Sequence, residues 1–81
     1  MTKEDFDLYF GNDLSVLIFE YEGKEGYVSK NYDNEKEATV YVMVFDDNEV
    51  LEYDENKITK VPFVNGKSLE EVREKLIHIL G

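Results

Sequence analysis

The chain has no cysteine and no tryptophan, one proline (Pro62) and one histidine (His78), and sets 19 Asp and Glu against 9 Lys and Arg. Each shortage removes a class of chemistry. Without cysteine there is no disulfide framework, no thiolate nucleophile and no cysteine zinc site, so any core must hold without staples. A lone imidazole acts catalytically or on a metal only with a partner held at fixed distance, and His78 has Glu74 and Lys75 one turn away in a helical reading. It reads as a solvated residue at a helix C-terminus. The shortage of cations leaves a formal net charge of -10, a field that attracts basic partners and repels nucleic acid. No apolar run approaches the roughly 18 residues of a membrane span. Met1-Thr2-Lys3-Glu4-Asp5 is not the basic start of a signal peptide either. The expectation is a cytoplasmic protein that contacts neither membrane nor nucleic acid directly.

What is present argues for a folded core. Hydrophobic residues make up 42% of the 81 positions and aromatics 14%, more than an acidic disordered tail carries. The length leaves room for one core, so residues 1–81 read as a single small acidic domain.

Thr2 with Asp5 suits a helix start, Phe6, Tyr9 and Phe10 follow at helical spacing, and Gly11 stops the run. Leu14 to Tyr21 is rich in β-formers, Gly23 and Gly26 punctuate the residues that follow, and Tyr27 to Lys30 resumes an extended pattern, which makes a hairpin. Asn31 to Glu37 reads as a loop. Ala38 to Phe45, apolar on both faces, reads as a central strand, and Asp46-Asp47-Asn48 turns it into a second hairpin with Glu49 to Tyr53. Ile58 to Val64 is a candidate further strand, held to an edge or strand end by Pro62. Ser68-Leu69-Glu70-Glu71 matches a capping box and opens a predicted amphipathic helix to Leu80, with Leu69, Val72, Leu76, Ile79 and Leu80 on one stripe. The fold expected is therefore α+β: an antiparallel four- or five-stranded sheet of two hairpins, with a short N-terminal helix and a C-terminal amphipathic helix.

Little here suits catalysis. Paired carboxylates abound, but acid–base work needs one of them in an apolar cleft opposite an ionised partner, and so small a domain offers little concave surface. Ser15, Ser29 and Ser68 have no His base in reach, and the glycines form no phosphate-cradling motif. The six carboxylates between Asp46 and Asn56 invite a calcium reading, yet they lack the Gly turn and alternating ligands of an EF-hand. No enzyme, metal or cofactor is expected; a weak divalent-cation site there is an alternative.

Gly26-Tyr27-Val28 and Gly66-Lys67-Ser68-Leu69-Glu70-Glu71 resemble the strand pair and helix opening of HicB-like antitoxins. That family's Pro-rich loop after the second strand is absent and a long extra hairpin intervenes, so no residue role is carried over. In charge alone the chain is similar to small acidic phage and bacterial proteins that imitate DNA.

The remaining reading is a binding module, an inhibitor or regulator that occupies a basic, nucleic-acid-binding type of surface on a partner protein. Carboxylates Asp46, Asp47, Glu49, Glu52 and Asp54, around Tyr41 and Phe45, form its candidate contact. If the second hairpin turns on a two-residue loop, Val44 pairs with Leu51 and the opposite face carries Tyr41, Met43, Phe45, Val50 and Glu52, whereas a three-residue loop exchanges several of these. In either register this second face is largely apolar, and a helix, a second copy or a partner must cover it. The structural alternative is a homodimer whose acidity serves solubility only.

Overall fold

The computed structural model describes residues 16–80. Among these residues the strands are β1 (Val16–Tyr21), β2 (Lys24–Asp33), β3 (Ala38–Phe45), β4 (Asn48–Glu52) and β5 (Ile77–Leu80), and a short α-helical turn is α1 (Leu69–Val72). The strands form a single antiparallel sheet in the order β4-β3-β2-β1-β5. Among the described residues the fold is mostly β, and the C-terminal segment holds less helix than expected. The helix predicted over Thr2 to Gly11 lies outside the described residues.

The two hairpins form because their turns suit the left-handed backbone that a tight reversal requires. Glu22 and Gly23 both have positive φ (52° and 79°), joining β1 to β2 through a two-residue loop with Tyr21 opposite Lys24. The β2–β3 turn is held by Asp33, whose Oδ1 accepts from the amides of Glu35 (2.9 Å) and Lys36 (3.2 Å). This turn is shorter than the predicted loop: β2 runs on to Asp33 because Asn31, Tyr32 and Asp33 find backbone partners in Val40, Thr39 and Ala38. The β3–β4 loop is Asp46-Asp47, with Asp46 at φ 54°. Val44 therefore faces Glu49, not Leu51. A shift of two residues preserves the faces, so Tyr41, Met43, Phe45, Val50 and Glu52 do lie on one side.

That side is the core. Leu17, Phe19, Tyr21, Val28, Met43 and Phe45 from the sheet are buried against Ile58, Phe63, Val64, Leu69 and Val72 from the following segment. Phe19 lies parallel to Phe45 at 6.2 Å between ring centroids and meets Phe63 edge-on at 6.0 Å. Each such fully buried side chain contributes on the order of 1.5–3 kcal/mol of transfer free energy.

The covering segment departs from expectation twice. Ile58 to Val64 is not a strand: Ile58–Lys60 is a 3-10 turn closed by Lys60 N–H donating to the Lys57 carbonyl at 2.8 Å. Val64 and Lys67 then exchange two backbone hydrogen bonds of 2.9 Å around Asn65-Gly66, both at positive φ. The C-terminal helix is also corrected. The capping box forms as expected, with Ser68 N–H donating to Glu71 Oε2 at 2.8 Å and Glu71 N–H to Ser68 Oγ at 3.4 Å. The helix nevertheless ends after one turn, passes through a 3-10 turn at Arg73–Lys75, becomes extended at Leu76 and continues as β5 along β1. Ile77 and Ile79 are β-branched, and the edge of β1 offers backbone donors and acceptors that a helix would leave uncovered. Leu69 and Val72 are core, as the stripe implied, whereas Ile79 is exposed and His78 pairs with Phe19 within the sheet.

Candidate functional site

The second hairpin divides the predicted contact residues into two groups. Tyr41 and Phe45 are buried, 4% and 1% exposed, so neither can serve as a surface anchor. Strand alternation explains this: they share the face of Met43, which the covering segment closes. Of the carboxylates, Asp46, Asp47, Glu49 and Asp54 are exposed, whereas Glu52 is half-buried on the core side beside Tyr41. Asp46 and Asp47 occupy the turn, both exposed, and Asp46 Oδ2 pairs with Lys24 Nζ at 3.1 Å. With both partners about half exposed, that pair contributes little to stability. Glu49 points from β4 to the side away from the core. Glu52 and Asp54 serve the local turn, Glu52 Oε2 accepting from the Asp54 amide and Asp54 Oδ1 from the Asn56 amide, each at 2.9 Å. Among the described residues no three acids or histidines converge to hold a metal ion.

The turn borders an open cleft of about 340 Å³ between the Asp46–Asn48 and Asn65–Gly66 reversals, floored by Phe45 and Phe63. Asn48 Nδ2 donates across its base to the Phe63 carbonyl at 3.4 Å.

The face of the sheet away from the core was not singled out from sequence, although strand parity places it. Three rows cross it. Glu20 stands opposite Glu25; Ile18, Tyr27, Val44 and Glu49 form the next row; Val16, Ser29, Val42 and Leu51 the one after. Tyr27 and Leu51 are exposed there, at 37% and 52%, and Ile77 stands beside Glu20 at 61%. Tyr27 alternates with buried Gly26 and Val28, which is the signal that could have identified it as an exposed aromatic of this face.

The far end of this face is closed by Tyr53. Its hydroxyl donates to Asp33 Oδ2 at 2.9 Å, and Lys36 Nζ lies 4.5 Å from its ring centroid. The Tyr53 hydrogen bond, with the Lys36 and Glu35 amides, holds the Asp33 carboxyl below the usual carboxylate range. In the core, burial pushes the Tyr21 phenol up, with the Glu22 carboxylate adding to the effect.

Compared with known proteins, the chain matches no family model, no curated protein and no solved structure. None of the described helices is long and apolar enough to cross a membrane.

Proposed function

We propose that this protein is a small acidic interaction module that inhibits or regulates a partner by occupying its basic surface, and is not an enzyme. One observation carries the reading: a net charge of -10 on 81 residues, with Asp47 and Glu49 exposed on the second hairpin and paired with no cation among the described residues. A surface so charged accelerates encounter with a cationic groove and discriminates against acidic competitors. Asp46, Asp47 and Glu49 supply the hairpin's part of that field, and the two buried aromatics support the hairpin from below.

The test is capture from cell lysate by the immobilised protein at low and at high salt. Basic proteins are expected to be retained at low ionic strength and released as salt screens the exposed carboxylates. Retention of no basic protein even at low salt removes the reading.

A further inference from the structure

We infer that the outer face of the sheet is the docking surface, and that its occupant is a cationic amphipathic segment of the partner protein. The inference rests on the proposed function and specifies the chemistry of the partner.

Two features of this face point the same way. Glu20 and Glu25 are directly opposed across β1 and β2, and no cation pairs with either among the described residues. Like charges so placed destabilise a sheet, and a Lys or Arg side chain laid over both removes the repulsion. The neighbouring row, Ile18, Tyr27 and Val44, is apolar and ends in a third carboxylate, Glu49. The two rows are two residues apart along the strands, about 6.6–6.8 Å. That spacing matches alternate side chains on one face of a strand and is close to one helical turn. A partner segment with a cation and an apolar side chain at this spacing satisfies both rows at once.

Charge complementarity also selects among occupants. A second copy of the chain would bring the same carboxylates and another charge of -10. Residues 1–15 carry Glu4, Asp5, Asp7 and Asp13 against Lys3 alone, so they too bring like charge to a carboxylate row. A basic partner segment is the occupant whose charge the face complements.

The experiment is an NMR titration of the isotope-labelled 81-residue chain with two synthetic probes of equal positive charge: an amphipathic Lys/Leu peptide and an oligolysine. Saturable shifts are expected at Ile18, Tyr27, Val44 and Leu51 with the Lys/Leu peptide, which should bind about tenfold more tightly than oligolysine. The Glu20→Gln/Glu25→Gln variant should lose about tenfold in affinity for that peptide while melting no lower than the parent. Equal affinity for the two probes, or shifts confined to the Asp46-Asp47 turn, would overturn the docking surface and leave the charge-based function standing. Contacts in the free protein from Phe6, Tyr9 or Phe10 to Ile18 or Val44, or a dimer through this face, would overturn it as well. Binding of neither probe at low salt would remove both the surface and the function.

Discussion

Gly26 shows how closely one position governs the core. It lies between Phe19 and Phe45 in a row across β1, β2 and β3, and a Cβ built there would sit 2.7 Å from Phe19 Cζ, 2.9 Å from Phe45 Cδ1 and 2.8 Å from the Val44 carbonyl oxygen. The rings could turn aside, but the carbonyl belongs to the ladder that pairs β2 with β3. Gly26→Ala is therefore an overpacking change in a central strand, expected to cost about 1–3 kcal/mol. Urea denaturation measures this as a lower midpoint with unchanged slope. An unchanged midpoint would mean that the two strands separate there without penalty. The glycine was legible in the sequence only as punctuation of a hairpin; that two aromatics flank it depends on pairing across three strands, which local pattern does not contain.

At the scale of elements, Tyr53 joins two parts of the sheet that the chain separates. Its hydroxyl reaches from beyond β4 to Asp33 at the end of β2, fastening the β2–β3 turn to the second hairpin. A carboxyl whose pKa is lower in the folded protein stabilises the fold above its unfolded value, here 3.8, and loses that contribution as pH falls through the folded value. Tyr53→Phe removes the largest cause, so the Asp33 pKa should rise toward 3.8, as followed by carboxyl NMR titration. A pKa equal to that of the parent would show that the amides of Lys36 and Glu35 suffice. Most elements were legible: β3 has the predicted bounds, both hairpins form, and the capping box closes at Ser68. What failed was the end of the helix. Leu69, Val72 and Leu76 fit helical spacing, but Ile77 and Ile79 fit a strand as well, and only the open edge of β1 decides between them. Asn65-Gly66 was a missed local signal, since that dipeptide between Val64 and Lys67 is itself a hairpin turn. The predicted site was partly legible for the same reason. Alternation grouped Tyr41 and Phe45 correctly, but which face the covering segment occupies is a tertiary fact.

For the whole molecule, the excess of carboxylates is the property that most distinguishes this chain from an ordinary small β domain, and the functional account stands on it. Duplex DNA carries one phosphate charge per roughly 1.7 Å of axis, a density that only several acidic strands together approach. In the proposed reading the outer sheet face and the second hairpin contribute Glu20, Glu25, Asp47 and Glu49 to such a surface. If charge drives the encounter, the rate of association with the captured basic protein must depend on those groups and on salt. The most direct measurement is stopped-flow association across a range of ionic strength, comparing the parent with Asp47→Lys/Glu49→Lys, two exposed positions without a cation partner among the described residues. The account predicts that the parent associates fast and slows steeply with salt. The variant should associate more slowly with a flatter salt dependence, its melting temperature unchanged. Association rates that are the same in both proteins and indifferent to salt would contradict it.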